Sequence, residues 1–240
     1  MKIRSLAVPA TAIVCASVLA LASGCSKNQY MIEDTPEFQS VTEKLTGTWV
    51  AESYQTEDED LFSSTFDRAS VTYDFSTRNV EWTFQIRDEL LEEKLTDWRK
   101  EFPGIDVTDY KIVITSNWRV NSDGQSILVD GDEDHELLIS GSGNNFEGFY
   151  GWEMTRFEAA KAAGDIAAGG GGGLASLAAG AAASAAAKQA TGTSDLFLSM
   201  TNNYTFELSN DDNNLLLCRK GSAYRLNTTD CRERMQLVRQ

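Results

Sequence analysis

Residues suited to metal or acid–base chemistry are concentrated in one acidic run, Asp130-Gly131-Asp132-Glu133-Asp134, which is followed by the chain's single histidine, His135. The alternating acids have the spacing of a calcium-binding loop. An EF-hand loop needs glycine at its sixth position and a bidentate acid at its twelfth, whereas His135 and Gly141 stand there. We therefore predict a solvated hairpin tip between two strands, with weak cation binding as the alternative, and a histidine on the surface.

Signatures of nucleophilic and phosphate chemistry are missing from the sequence. No G-x-S-x-G motif supplies a nucleophile for His135, and no Lys-Ser or Lys-Thr pair follows the glycine run at 169–173, as a phosphate-binding loop requires. Carboxylates are so numerous that no particular pair indicates a glycosidase. We therefore expect no catalytic residue, no metal and no cofactor, and the sequence does not indicate an enzyme.

The overall charge limits the partners of the protein. The chain has 36 acidic and 21 basic residues, and its formal net charge is −15. A surface of that sign is repelled by nucleic acid and by anionic lipid headgroups. We therefore exclude nucleic acid as a partner.

The first 24 residues have the composition of an export signal. Lys2 and Arg4 precede an uncharged, mostly apolar run from Leu6 to Leu21, and small residues follow it, as in secretory signal peptides. The run is shorter than the roughly 20 residues that a membrane-spanning helix needs. We therefore predict that residues 1–24 are removed and that the rest of the chain is exported.

The end of this signal, Leu21-Ala22-Ser23-Gly24 before Cys25, resembles the lipobox that lipoprotein signal peptidase cuts. The resemblance implies that Cys25 becomes the first residue of a bacterial lipoprotein and carries palmitate-type acyl chains, so that the membrane is a partner. An ordinary cleaved signal before a chance cysteine is the alternative. Ser26 is not the aspartate that favours inner-membrane retention in that family, so the resemblance also implies the outer membrane.

Two further cysteines, Cys218 and Cys231, lie in the exported part of the chain. An oxidising compartment favours a disulfide over a metal or redox site, and the sequence has no C-x-x-C motif. Turn-forming residues between the two cysteines, among them Gly221 and Ser222, allow the chain to bring them together. We predict a Cys218–Cys231 disulfide, with two free buried thiols as the alternative.

Most of the chain from Leu45 onward has the period-two alternation of strands with one buried face. Two such strands flank a short polar turn at 76–79 and form a predicted hairpin, and a third, Tyr110–Val120, ends at a turn over 121–124. We expect their apolar faces to share one interior. These faces are Val71, Tyr73 and Phe75; Val80, Trp82, Phe84 and Ile86; and Ile112, Ile114, Trp118 and Val120.

Shorter strand-like segments follow, separated by clusters of Asn, Asp, Gly and Ser. Together they predict a mainly β fold, an antiparallel up-and-down barrel or meander, with an open sheet or sandwich as the alternative. The segments are Gln125–Val129, Glu136–Ser140, Phe146–Phe157, Leu196–Leu208, Leu215–Arg219, Ser222–Leu226 and Arg232–Arg239.

One segment, residues 88–102, has the period of a helix instead. Acids begin it, basic residues lie near its end, and Pro103-Gly104 stops it, which suits the helix dipole and helix termination. We predict a helix that packs one apolar stripe against the β structure. The stripe consists of Leu91, Leu95, Trp98 and Phe102.

Residues 159–193 interrupt the pattern, because most of them are alanine or glycine. Alanine favours helix strongly and glycine opposes it. Two alternatives remain: two Ala-rich helical pieces, Glu158–Ala168 and Leu174–Ala190, hinged at the glycines, or a flexible loop. The sequence therefore predicts a tether at 25–44 and a single β domain at 45–240 that carries this insertion.

The start of the first predicted strand, Leu45-Thr46-Gly47-Thr48-Trp49, resembles the G-x-W start of lipocalins and of the lipocalin-like domains of bacterial lipoproteins. The resemblance implies an up-and-down barrel in which Gly47 and Trp49 are structural and Trp49 closes one end. It covers the chain from Leu45 to the C-terminus as a pattern only.

Two further parts of the lipocalin signature have weaker counterparts. Thr108-Asp109-Tyr110 resembles the T-D-Y turn of the family, and the family's later basic residue would correspond to Arg232 or Arg234. The helix at 88–102 and the Ala/Gly-rich insertion depart from a simple lipocalin.

Two functions are compatible with such a domain. The lipocalin resemblance implies a membrane-anchored barrel that binds a small apolar ligand or lipid. The alternative is a non-catalytic structural or interaction protein that contacts another protein of the cell envelope. The many large aromatics predict an interior filled by side chains, which weakens the ligand hypothesis.

Overall fold

The strands form one closed antiparallel barrel in which each strand pairs with the next and the eighth returns to the first. The structure, a computed structural model, describes residues 35–55, 60–169, 200, 202–220 and 231–240. The predicted mainly β, up-and-down barrel is therefore confirmed. Its strands are β1 Gly47–Gln55, β2 Phe66–Tyr73, β3 Asn79–Ile86, β4 Asp106–Val120, β5 Ser126–Ser142, β6 Asn202–Ser209, β7 Asn214–Lys220 and β8 Cys231–Arg239.

The period-two alternation decides which side chains face the barrel interior. Strands β2 and β3 form the predicted hairpin, with Val71 opposite Trp82, and directly opposite residues of an antiparallel pair lie on the same face. The apolar faces predicted for the first three alternating segments are buried in one core, apart from Phe75, which lies beyond β2 and is partly buried. The prediction of a shared interior is confirmed.

The barrel has two ends with different connections. At the lower end β1 begins, and short turns join β2 to β3, β4 to β5 and β6 to β7. At the upper end longer connections leave β3 and β5 and carry helices. The barrel closes where Trp49 of β1 pairs with Arg239 of β8, near the lower end.

Helix α1, Pro36–Leu45, precedes β1 at the lower end. Thr35 caps it by accepting a hydrogen bond from the N–H of Phe38 at 3.2 Å, and a proline takes the first helical position, where its missing N–H costs nothing. Phe38 and Leu45 are buried in the core. The tether predicted for residues 25–44 is therefore too long, because part of that segment packs against the barrel.

Helix α3, Asp88–Glu101, confirms the helix predicted for residues 88–102. The N–H of Phe102 bonds the carbonyl of Trp98 at 2.8 Å, and the chain then leaves the helix. A one-turn helix, α2, lies between β1 and β2 at Leu61–Ser64. The predicted stripe of α3 packs inward, with Leu91, Leu95 and Trp98 buried and Phe102 partly buried.

Residues 146–157, predicted as a strand, form the first half of a helix, α4, which spans Phe146–Gly169. Aromatic residues favour strands locally, which explains the error. The predicted helical piece Glu158–Ala168 is the continuation of α4, so the described start of the Ala/Gly-rich insertion is helical. The buried residues of α4 have helical spacing: Phe149, Glu153, Phe157 and Ala160.

The acidic run 130–134 lies within β5 and not at a hairpin tip. Asp130 pairs with Asn117 and Asp134 with Thr115, so the separately predicted strands on either side of the run are one strand of 17 residues. Between these two pairs β5 carries three residues where β4 carries one, a bulge that absorbs the run. The predicted T-D-Y turn at 108–110 is likewise part of a strand, β4.

Several predictions concern residues outside the described ranges. These are the signal at 1–24, Cys25, the insertion from 170 to 193, the first residues of the strand predicted for 196–208, and the strand Ser222–Leu226. Among the described helices, none is long and apolar enough to cross a membrane.

Candidate functional site

The indole of Trp49 closes the lower end of the barrel. Its side chain is fully buried, and its Nε1 donates a hydrogen bond to the carbonyl of Leu45 at 2.8 Å. Gly47 has a φ of +122°, a backbone conformation that favours glycine. Trp49 and Gly47 thus lie where β1 begins, one buried and the other in a conformation that few other residues adopt.

The basic residue that covers Trp49 is Arg239 and not the candidate Arg234, while the side chain of the other candidate, Arg232, lies outside the described residues. The Arg239 guanidinium lies 4.3 Å from the centre of the indole ring, within the range of a cation–π interaction. Arg234 is exposed on the outer face of the same strand. Arg239 takes the position because it is the residue of β8 directly opposite Trp49.

Arg239 also joins the loops of the lower end by bonding their carbonyl oxygens. Its Nη1 donates to Thr46 at 3.0 Å, its Nη2 donates to Lys44, and its Nε donates to Asp212 at 3.3 Å. One guanidinium thus holds the end of α1 and the β6–β7 turn against β8. Charge-assisted bonds of this kind are stronger than neutral ones.

The middle of the barrel is filled by side chains. The rings of Tyr73 and Trp118 meet edge to face at 5.2 Å, and those of Trp82 and Tyr204 lie 6.1 Å apart. The largest fully buried side chains include three tryptophans, Trp49, Trp82 and Trp118. A filled, narrow interior is what the number of large aromatics predicted.

The upper interior brings together charged and phenolic side chains from β1, β6, β7 and β8. Arg219 Nη1 donates to Glu233 Oε1 at 2.7 Å, Tyr54 Oη donates to Glu233 Oε2 at 3.3 Å, and Tyr204 Oη donates to the carbonyl of Met200 at 2.9 Å. Burial, above all, raises the pKa of both tyrosines, and the charge of Glu233 raises it further. Both phenols therefore remain protonated hydrogen-bond donors at neutral pH.

Strand β5 adds Glu133 and His135 to this upper interior. His135 pairs with the interior residue Ile114 and so faces inward. The side chains of Glu133 and His135 are only 10% and 12% exposed, with Oε2 and Nε2 3.9 Å apart. The predictions of a solvated acidic tip and a surface histidine are therefore wrong. Strand alternation sends Glu133 inward and Asp134 outward, where it bonds Lys161 Nζ at 2.6 Å.

Two buried polar atoms at the upper interior have no hydrogen-bond partner among the described residues, Trp82 Nε1 and Glu133 Oε1. A cavity of about 10 Å³ lies against Trp82, and Tyr54, Tyr204 and Glu233 also line it. That is space for about one water-sized group. Because an unsatisfied buried polar atom costs about 1–3 kcal/mol, these atoms mark the upper interior as the candidate binding site.

A second buried carboxylate joins the barrel to α4. Glu153 is 1% exposed, and its Oε1 accepts a hydrogen bond from Tyr110 Oη at 2.9 Å. Its Oε2 lies 3.6 Å from Arg156 Nη1 and makes no hydrogen bond within the described part of the chain. Burial raises the pKa of Glu153, while the Tyr110 hydrogen bond and the charges of Arg156 and Lys94 act in the opposite direction.

Cys218 and Cys231 form the predicted disulfide, with their Cα atoms 5.4 Å apart. The bond links β7 to β8 at the upper end. It therefore constrains the two strands that carry Arg219 and Glu233 next to the candidate site.

The chemistry of the upper interior suits recognition of a small polar group. Carboxylates, phenols, an imidazole and a guanidinium offer charge and hydrogen bonds there. Over the described ranges, no group of three or more His, Cys, Asp or Glu side chains is placed to hold a metal ion.

Sequence reasoning missed the inward position of Glu133 although the signal for it was present. Counting by twos from Ile127 and Val129 reaches Glu133 and His135, and then Leu137, so one alternating face runs through the acidic run. The composition of the run outweighed its periodicity. For Tyr110 and Glu153, which lie 43 positions apart, the sequence carries no signal of contact.

Comparisons of the chain with protein-family models, with curated proteins and with solved structures found no match. Conclusions about function therefore depend on the residues and geometry described above.

Proposed function

We propose that this chain is a lipid-anchored bacterial lipoprotein whose lipocalin-like barrel serves the cell envelope as a non-catalytic interaction module. The export signal and the lipobox-like end before Cys25 support the anchor. The contact of Arg239 with Trp49 supports the lipocalin resemblance, which expects a tryptophan early in the domain and a basic residue late in it. Both supports are independent of each other.

The filled interior favours an interaction module over a ligand carrier. Ligand pockets for drug-sized molecules typically enclose about 300–1,000 Å³, whereas the cavity beside Trp82 has about 10 Å³. An apolar ligand therefore has no room between the described side chains around this cavity. The barrel instead provides a rigid body that presents its outer surface.

A lipid on Cys25 would direct the lower end of the barrel toward the membrane. The described chain enters at that end, where α1 begins at Pro36. The residues between Cys25 and Thr35 extend to at most about 35 Å at about 3.5 Å per residue. The upper end, with α3 and α4, then faces away from the membrane and is available to a partner.

Binding of a small ligand is the second candidate function, and one observation favours it. Trp82 Nε1 and Glu133 Oε1 are buried without hydrogen-bond partners among the described residues. A ligand with a polar group could satisfy them, provided that the packing around the cavity opens.

The anchor is tested by labelling cells with a fatty acid while they express the full chain. We expect label on the wild-type protein and on the control Ser26→Ala, and none on Cys25→Ala, which should also remain unprocessed. Ser26→Asp should move the protein from the outer-membrane to the inner-membrane fraction. Acylation of Cys25→Ala would disprove the lipoprotein assignment.

The two candidate functions are separated by extracting the native protein and examining what accompanies it. A photo-crosslinking residue at the exposed upper-end position Tyr150 should capture a discrete envelope protein, whereas the same residue at Thr77 in a lower-end turn should not. Mass spectrometry of the extract should find no stoichiometric small molecule. If an apolar molecule is extracted in equimolar amount, the protein is a ligand carrier and not an interaction module.

A further inference from the structure

Helix α4 is packed over the upper end of the barrel by an apolar face. Phe149 and Phe157 are buried and belong to the same core as the barrel interior. The ring centre of Phe149 lies 4.9 Å from that of Trp98 on α3, and Trp98 stacks on Tyr110 of β4 at 5.9 Å. The helix therefore covers the β4–β5 side of the upper end.

Two polar contacts hold α4 against the strands, one a buried hydrogen bond and the other an ion pair at the surface. The first is the hydrogen bond from Tyr110 to the buried Glu153. The second is Lys161, whose Nζ donates to Asp134 Oδ1 at 2.6 Å and to the carbonyl of His135 at 3.2 Å. The Asp134 side chain is 78% exposed, so this second contact lies at the surface.

We propose that helix α4 is a proton-controlled cover of the upper end of the barrel, with Glu153 as the group whose protonation keeps it closed. Among the described residues, two cations face Glu153, Lys94 from α3 and Arg156 from α4, and the neutral phenol of Tyr110 from β4 donates a hydrogen bond to it. Neither cation donates a hydrogen bond to Oε2. An ionised Glu153 is thus incompletely compensated, whereas a protonated one has little charge to bury.

The sign of the pH dependence follows from the burial of Glu153. Burial raises the pKa of its carboxyl in the closed state, and opening returns it to the ordinary glutamate range. The contribution of Glu153 to closure is therefore complete below that ordinary range and is lost as the pH rises through the raised pKa. Each pKa unit of difference changes the closed-to-open ratio tenfold.

The contact with Lys161 has the opposite sign and a different range. The hydrogen bond and charge of Lys161 lower the pKa of Asp134. Its contribution is therefore complete above the ordinary aspartate pKa of about 3.9 and is lost only as the pH falls below it. As the pH rises above about 4.5, the contribution of the Lys161–Asp134 contact to closure stays constant, and only the contribution of Glu153 is expected to change.

Opening of α4 would uncover the end of the barrel that contains Glu133, His135 and the orphaned polar atoms. A cover that loosens toward neutral pH would make this end more accessible to a partner or ligand there than at acid pH. The inference concerns the cover itself and does not depend on which of the proposed functions is right.

Amide hydrogen exchange of the mature protein, corrected for the intrinsic pH dependence of exchange, measures the opening directly. We expect the protection of the amides between Phe149 and Ala160 to fall as the pH rises from about 4.5 to 8. Glu153→Gln, an uncharged match for the protonated side chain, should remove this slope and keep high protection at pH 8. Tyr110→Phe should reduce protection most at the high-pH end, because the ionised carboxylate loses its donor.

Two control variants distinguish this device from a general pH effect. Glu158→Gln removes an exposed acid from the same helix and should leave the wild-type slope intact. Asp134→Asn should lower protection by a similar factor across the whole range without changing the slope. A flat wild-type profile, or a Glu153→Gln protein with the wild-type slope, would overturn the proposal.

Discussion

The two ends of the barrel are closed by different chemistry. At the lower end, Trp49 is buried with its N–H bonded to a carbonyl, and Arg239 covers the ring and bonds three carbonyls. At the upper end, buried carboxylates face phenols and cations, and the oxygens Glu133 Oε1 and Glu153 Oε2 lack hydrogen bonds among the described residues. The lower end is built for stability, and the upper end retains polar groups that stability alone does not require.

The difference between the two ends suggests where the protein binds a partner, because unbonded buried groups cost free energy. Buried polar atoms are nearly always hydrogen-bonded in folded proteins, so an unbonded one needs an explanation. Tyr73, which pairs with Gly47 near the lower end, also has a buried hydroxyl without a hydrogen bond among the described residues, but the unbonded oxygens of Glu133 and Glu153 lie at the upper end. A carboxylate is more costly to bury without partners than a hydroxyl, so the upper end is the one that we expect to exchange partners or change state. The disulfide at that end adds a covalent constraint between β7 and β8.

The comparison is tested most strongly by removing one tryptophan from each end. Trp49→Ala should reduce the free energy of unfolding by about 5 kcal/mol and Trp98→Ala by about 3 kcal/mol, within the range for large buried residues. Trp49 is fully buried and hydrogen-bonded, whereas Trp98 is 7% exposed on a helix. Urea unfolding followed by circular dichroism measures both, and an equal or reversed order would contradict the distinction between the ends.

Removal of the disulfide tests the covalent constraint at the upper end. The disulfide closes a loop between cysteines 13 positions apart and so restricts the unfolded chain. The Cys218→Ala/Cys231→Ala double variant lacks this restriction and should lose about 3 kcal/mol of stability. Non-reducing peptide mapping of envelope-purified protein should find the two cysteines joined. If a reductant leaves the unfolding midpoint of the wild-type protein unchanged, the bond does not stabilise the upper end.

Arg239 gives the smallest expected effect, and Arg234 on the same strand is its matched control. Arg239→Ala should cost about 2 kcal/mol, because charge-assisted bonds and a cation–π contact are lost together. Arg234→Ala should change stability by less than about 0.5 kcal/mol, as for most exposed positions. Equal effects would mean that the cover of Trp49 contributes nothing to the lower end.

The sequence by itself determined the features that depend on local periodicity. Alternation in β2, β3 and β4 identified the residues of one interior, and 3.6-residue periodicity identified α3 with its buried stripe. The disulfide followed from cysteine count and compartment. The two periodicities are carried by neighbouring residues, so no knowledge of the distant chain was needed for them.

Only the tertiary structure decided the contacts between distant segments. Register at barrel closure placed Arg239, and not Arg234, opposite Trp49. A buried face shared with α3 and β4 made a helix of residues 146–157 against their aromatic preference for strand, and the same packing brought Glu153 to Tyr110. Pairing with β4 on both sides of the acidic run, across a bulge, made the run part of strand β5 and placed Glu133 on the inner face. In each case long-range packing and pairing outweighed local preference, because burial against a distant partner contributes more free energy than intrinsic propensity does.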